Sequence, residues 1–285
     1  MTDPFLSDVD ASLYLQQAGT LADEEIDIFE CALAFSLLDK PQTDIALYRH
    51  YFQKMHKTLS NDFEALCSQR NSDDVTVQSE ALANTMAGEG YRSDDETYDD
   101  FDNINLFTVI DRKRGLQISL CIIAISLARS AGWHAKGVNF PGHFLMRLDH
   151  DGQRLLLDPY NEFTDMGAKD LRDILKRTIG ERAELSADHY APCTNRDILL
   201  RYQNNIKYRL IDAEKYDEAL EVVQRMTLVA PEDLRLILDK AVLYARIGQT
   251  KAAIDSAKYY LERVKSPQDK AEAAAFLREL QNLLN

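Results

Sequence analysis

The sequence predicts an α+β protein that is mostly helical, and three observations carry that prediction. Apolar residues recur every three or four positions through most of the first hundred residues. Three short apolar-rich segments between 133 and 158 include a hairpin turn sequence, Asp149-His150-Asp151-Gly152. Beyond residue 195 the pattern is helical again and repeats with a spacing of 34 residues, the distance from Ala219 to Ala253. Helices, then a helix leading into antiparallel strands, then a repeated helical tail, read as an α+β unit with a helical array behind it.

Each element follows from its residues. Leu13 to Ala18 and Glu24 to Leu38 read as helices, the second with Ile26, Phe29, Leu33 and Leu37 on one face. Pro41 and Thr43 close that helix and open the next. The next, about Asp44 to Cys67, is expected to bury Leu47, Tyr51, Met55, Leu59, Phe63 and Leu66. Its His50 and His56 are six apart and lie on different faces, which is wrong for a shared metal. The string RSDDETYDDFDN (Arg92 to Asn103) lacks the glycine and closing glutamate of a calcium loop and reads as a solvated acidic loop. A helix over Leu116 to Ser130 stops at Gly132. Strands are expected at Trp133 to Phe140, His143 to Leu148 and Gln153 to Asp158. The last helix, Asp269 to Leu284, is expected to cap the tail. A first region, 1–190, would hold the helices and a core at about 104–190, and 195–285 would hold the repeats.

Composition narrows the function classes. Hydrophobic residues are 45% and charged residues 28% of 285, so a sizeable core is feasible. A net charge of −14 disfavours phosphate backbones and anionic membranes. The longest apolar run, Ile118 to Ala128, is broken by serines and too short to span a bilayer. The N-terminus, MTDPFLSDVDAS, has no signal-peptide pattern. Cys31, Cys67, Cys121 and Cys193 are scattered without zinc spacing and read as reduced thiols. The expectation is a cytoplasmic protein that binds neither nucleic acid nor membrane and uses no metal or cofactor.

The chemistry concentrates around RKRGLQISLCII (Arg112 to Ile123), where a cysteine precedes a histidine in PGHF and an aspartate in LLLDPYN. With a loop over Asp149 to Gly152, Leu148 would face Gln153, Met146 would face Leu155, and His143 would face Asp158 within hydrogen-bonding reach. Arg147 would then oppose Arg154, a mildly repulsive pair. Pro159 ends the strand beside the carboxylate; a purely structural His–Asp pair is the plain alternative. Cys121 sits one turn past Gln117 on the same helix face, beyond the first turn where the dipole lowers a thiol pKa. It reads first as a core thiol and second as a displaced nucleophile. Arg112, Lys113 and Arg114 read as a solvated turn rather than an anion site. No P-loop, GxGxxG, HExxH or GxSxG string is present.

Two resemblances sharpen this. The segment EKYDEALEVVQRMTLVAPED resembles the second helix of a tetratricopeptide repeat, through Tyr216, Glu218, Ala219, Leu220 and Pro231, with Gly248 at an interhelical turn. A generic helical bundle is the alternative. Gly115, the helix end Arg129-Ser130-Ala131-Gly132, His143 and Asp158 resemble the transglutaminase-like (papain-like) fold. The strings RGLQISL, GVNFPGHFLMRL and LLLDPYN, joined to that tail, look like the SirB-type transglutaminase-like family of bacteria. The resemblance implies that Gln117 stands in the place of the nucleophilic cysteine, while His143 and Asp158 keep the other two places. It implies a pseudoenzyme that binds a protein or peptide and regulates. The rival is a cysteine hydrolase or acyltransferase using Cys121, His143 and Asp158. A third possibility, metal or water activation at His143 and Asp158, lacks a third ligand.

Overall fold

The computed structural model describes residues 8–94 and 103–282. Of the acidic string, therefore, only Arg92, Ser93, Asp94 and Asn103 can be placed; its calcium-loop or solvated-loop reading falls outside the described residues. The chain divides into two compact units, one of Met1–Tyr14 and Ala22–Tyr202, the other of Leu15–Leu21 and Gln203–Asn285.

The chain opens with four helices: α1 (Asp8–Ala18), which belongs to the first unit as far as Tyr14, and α2 (Ile28–Asp39), α3 (Ile45–Arg70) and α4 (Val75–Gly88), which lie within it. Aspartates start three of them. Asp27, Asp44 and Asp74 each accept a hydrogen bond from a backbone N–H of the first turn, which satisfies donors that the helix itself cannot. Nine of the ten residues from Ile28 to Leu37 in α2 are buried, Glu30 being the exception. In α3 the inward face differs from the expected one. It runs Ile45, Tyr48, Phe52, Met55, Leu59, and Leu47 is 66% exposed. The reason is phase: Phe52 stacks against Phe29 at 4.2 Å and Tyr48 against Phe107 at 4.5 Å, which turns Leu47 outward and leaves Tyr51 at the margin.

The central element is α6 (Gln117–Ser130), preceded by α5 (Leu106–Arg112). Every residue from Ile118 to Ala128 is buried, so α6 is a core helix rather than an amphipathic one. Its end is a glycine stop: Gly132 takes φ +82, and the Trp133 amide returns to the Ala128 carbonyl at 3.0 Å. Ser36, Asn105 and Tyr202 tie α2 and α5 to the start of α8 (Asn195–Asp212). The Leu106 amide donates to Ser36 Oγ at 2.8 Å, Tyr202 Oη lies 3.1 Å from the same atom, and Asn105 Nδ2 donates to the Ser36 carbonyl at 3.2 Å. Buried polar groups that satisfy one another in this way fix a unique arrangement.

Beside α6 lies an antiparallel sheet in the order β3 (His134–Val138), β4 (Leu145–His150), β5 (Gln153–Asp158), β6 (Thr164–Asp165). Helix α7 (Ala168–Ile179) buries Leu171, Ile174 and Leu175 with Val138, Leu145 and Leu156. A separate parallel pair, β1 (Arg92–Ser93) and β2 (Arg114–Gly115), sits before α6.

The hairpin register differs from the expected one by two residues. Met146 pairs with Leu157, Leu148 with Leu155, Asp149 with Arg154 and His150 with Gln153. The loop is therefore only Asp151-Gly152, with φ +47 and +78, the two-residue turn whose twist suits a right-handed hairpin. This register removes the Arg147–Arg154 clash. Arg147 instead opposes Leu156, and both arginines donate to Asp149, at 2.8 and 3.2 Å.

The second unit contains the rest of α8 with α9 (Tyr216–Val229), α10 (Leu234–Arg246), α11 (Thr250–Arg263) and α12 (Pro267–Asn282). Its core repeats at 34 residues. Ala219 and Ala253, Leu220 and Ile254, Val223 and Ala257, Met226 and Tyr260, and Ala230 and Val264 are all buried. Fully buried alanines at the first pair leave room for close helix packing. Helix α12 covers the end, with Leu280 on Ala241, Ala253 and Ala257, as expected of a capping helix within the described residues. The turn before α11 uses Gly248 at φ +76.

Candidate functional site

Gly115 opens the site because its backbone runs against a neighbour. A Cβ there would stand 2.8 Å from both methyls of Val109, so only glycine fits. Its carbonyl accepts from Asp94 N at 3.3 Å, and the Leu116 amide donates to the Asn103 carbonyl at 3.1 Å. The chain thus enters α6 from a fixed direction, and Gln117 falls in the first turn, half-buried.

PGHF positions the histidine. The His143 amide donates to the Phe140 carbonyl at 2.9 Å across Pro141 and Gly142, and Gly142 takes φ +75. Proline followed by a left-handed glycine is the type II turn pattern. A Cβ on Gly142 would also meet Thr178 Oγ1 at 2.5 Å, so the glycine is required twice. His143 emerges half-buried just before β4, and its buried Nδ1 has no hydrogen-bond partner among the described residues.

DPYN positions the aspartate. Asp158 Oδ1 accepts from Tyr160 N at 2.9 Å and caps a short turn over Pro159–Asn161. Glu162 and Phe163 then both take positive φ and reverse the chain into β6. Asp158 is 4% exposed. Burial pushes its carboxyl pKa up, and the Tyr160 N–H and the His143 charge pull it partly back. With the register corrected, Asp158 pairs with Thr164 of β6, not with His143. The two side chains are close enough to couple through charge, but no hydrogen bond joins them among the described residues. The expected cross-strand contact is therefore replaced by an electrostatic one. Tyr160, 45% exposed, sets its ring 6.4 Å from that of His143. The sequence reading passed over it, although it stands inside the DPYN string.

Gln117 and Cys121 meet the same residue. Gln117 Oε1 accepts from the Phe144 amide at 3.3 Å, and Cys121 Sγ donates to the Phe144 carbonyl at 3.8 Å. One face of α6 therefore satisfies both backbone groups of the residue that follows His143. Cys121 is fully buried; burial first, then the Asp158 and Cys193 charges, push its thiol pKa well up. That is the reverse of what thiolate chemistry needs. Ser119 is buried and donates to the Ile104 carbonyl. The basic trio is not a solvated turn. Arg112 lies 3.5 Å from Asp94, and Lys113 is half-buried over two tyrosine rings. Among the described residues no group of three or more His, Cys, Asp or Glu side chains could hold a metal ion, and no helix is long and apolar enough to cross a membrane.

Residues 49–204, from α3 to the start of α8, match the Transglutaminase-like superfamily. The chain belongs to that superfamily. Residues 206–282 match the tetratricopeptide repeat. Among its relatives is a UPF0162 protein of Xylella fastidiosa, 27% identical over 269 residues and 93% of each chain. Another UPF0162 protein, of Vibrio cholerae, is 27% identical over 93% of this chain and 96% of its own. Protein SirB1 of Salmonella typhimurium is 25% identical over 71% of this chain and 78% of its own. The SirB-type resemblance and the transglutaminase-like fold read from the sequence are thereby borne out.

Proposed function

We propose that this transglutaminase-like protein carries out no thiol chemistry and acts as a regulatory module that binds a protein or peptide. The observation that carries the reading is the pair of bonds to Phe144. In the first turn of α6, where a nucleophile would sit, Gln117 serves as a strut for the strand behind His143. A glutamine amide forms no thioacyl intermediate. Cys121 braces the same residue from one turn deeper, buried and with its thiol held protonated. His143 and Asp158 keep the remnant places, beside a partly exposed Tyr160 that offers a ring for contact. The tetratricopeptide repeats supply the second contact surface.

The rival reading, a cysteine hydrolase or acyltransferase, draws on the charge coupling of Cys121 to Asp158 and on the orphan His143 Nδ1. Alkylation with iodoacetamide near neutral pH, followed by peptide mapping, separates the two. The proposal expects Cys121 to be labelled only after denaturation. Fast, selective labelling of native Cys121 that is lost in His143→Ala would overturn it.

A further inference from the structure

Outside the cleft, helix α7 turns toward solvent a face that core packing does not explain. Its inward side is Leu171, Ile174 and Leu175. On the outward side Lys169, Arg172, Lys176 and Ile179 recur at i, i+3, i+7 and i+10, which lays them along one stripe of the helix. At 1.5 Å per residue the stripe is about 15 Å long. Lys169 and Arg172 are exposed, Lys176 is half-buried, and Ile179 is 61% exposed.

The three cations have no carboxylate of their own. Among the described residues none of them forms an ion pair. Elsewhere in the first unit Arg49 has Glu30, Arg112 has Asp94, and Arg147 and Arg154 share Asp149. Of the two acids of α7, Asp170 turns back to accept from Gly167 N at 3.0 Å, and Asp173 borders the stripe and offsets one charge. The stripe is therefore net positive within a unit that carries the whole net charge of −14. Its Ile179 end adjoins the turn that carries His143. A Cβ on Gly142 would stand 2.5 Å from Oγ1 of Thr178, the residue before Ile179.

We propose that this stripe docks a short acidic segment of a partner protein, extended along α7, with carboxylates on Lys169, Arg172 and Lys176 and an apolar side chain on Ile179. Its length is the reach of about five extended residues, of which alternate side chains face the helix. The complementarity is local. Salt screens charges beyond about 8–10 Å, so a short segment meets the stripe and little of the acidic surface around it. A long polyanion or an anionic bilayer spans that surface as well and is repelled by it. This contact goes beyond the cleft at Gln117 and does not depend on what that cleft binds.

The experiment is fluorescence anisotropy of the full chain with two fluorescein-labelled hexapeptides, one of a leucine and five glutamates, the other of a leucine and five glutamines. At low ionic strength the glutamate peptide should bind about tenfold tighter, the sum expected of three exposed charge pairs, and added salt should remove the difference. Reversing the stripe with Lys169→Glu, Arg172→Glu and Lys176→Glu together should abolish the preference. Reversing three exposed lysines of the second unit, with Lys251→Glu, Lys258→Glu and Lys265→Glu, changes the net charge equally and should leave it. Equal binding of the two peptides by the wild-type protein overturns the proposal, and this comparison decides even if a variant fails to fold. An equal loss in both triple variants also overturns it. So does a stripe reversal that spares the peptide preference and abolishes cosedimentation with phosphatidylserine vesicles, which would make the stripe a lipid contact.

Discussion

The two units of this chain are built on opposite economies of sequence. In the second, Gln203 to Asn285 carries thirteen basic and thirteen acidic residues, and Leu15 to Leu21 carries none of either. The whole net charge of −14 therefore belongs to the first unit. In the second, helices are set by a period, with five buried pairs 34 residues apart between Ala219 and Val264. In the first, the site is set by single turns: Gly115, Pro141-Gly142, Asp151-Gly152 and Asp158-Pro159. Periodic packing spreads its energy over many modest contacts, whereas a turn concentrates geometry in one or two residues. The net negative charge is accordingly confined to the first unit, and the second is balanced.

That contrast can be broken by substitution. The largest effect is expected in the helical core, where Leu120 is fully buried; Leu120→Ala should cost about 2–5 kcal/mol in urea unfolding. Next comes the turn that aims His143. Gly142→Ala should cost about 1–3 kcal/mol through left-handed strain and the Thr178 contact. Adding Thr178→Ala should recover only the contact part. Full recovery would show that backbone strain is absent. Ala253→Leu in the repeats should cost a similar 1–3 kcal/mol by overpacking. An indifferent Ala253 would mean that the 34-residue packing is looser than its burial indicates.

A smaller effect, with a defined sign, is expected at Asp158. Its folded pKa is raised, chiefly by burial, so its carboxylate contributes stability only while protonated, and that contribution is lost as pH rises through the folded value. Asp158→Asn should therefore be as stable as the parent in acid, below the ordinary carboxylate pKa, and more stable near pH 7. A variant less stable at pH 7 would show that the charged form is favoured after all. The smallest effect belongs to Arg154, half-exposed against Asp149; Arg154→Ala should change stability by about 0–1 kcal/mol.

Much of this was legible in the sequence. The cores of most helices, the third strand at Gln153 to Asp158 and the repeat register followed from periodicity and stop signals, because these are repeated, local preferences. The hairpin register did not, because a four-residue loop and a two-residue loop both fit Asp149 to Gly152; the choice rests on left-handed Asp151 and on the Arg147–Asp149–Arg154 cluster. The outward Leu47 followed from tertiary partners of Tyr48 and Phe52 that no local window contains. The inward Lys113 was missed for the same reason, since Tyr51 and Tyr91 lie far from it in sequence. Position 117 was marked by the family resemblance, but its bond to Phe144 is a long-range contact visible only in the fold.

The central claim is that position 117 is the nucleophile's place, now filled by a strut. Its most direct test is the alkylation rate of Gln117→Cys against pH, with peptide mapping and with His143→Ala as the control. The account predicts a thiol at residue 117 that reacts near neutral pH much faster than native Cys121, at a rate that falls when His143 is removed. A thiol at 117 that behaves as an ordinary exposed cysteine, indifferent to His143, would contradict it.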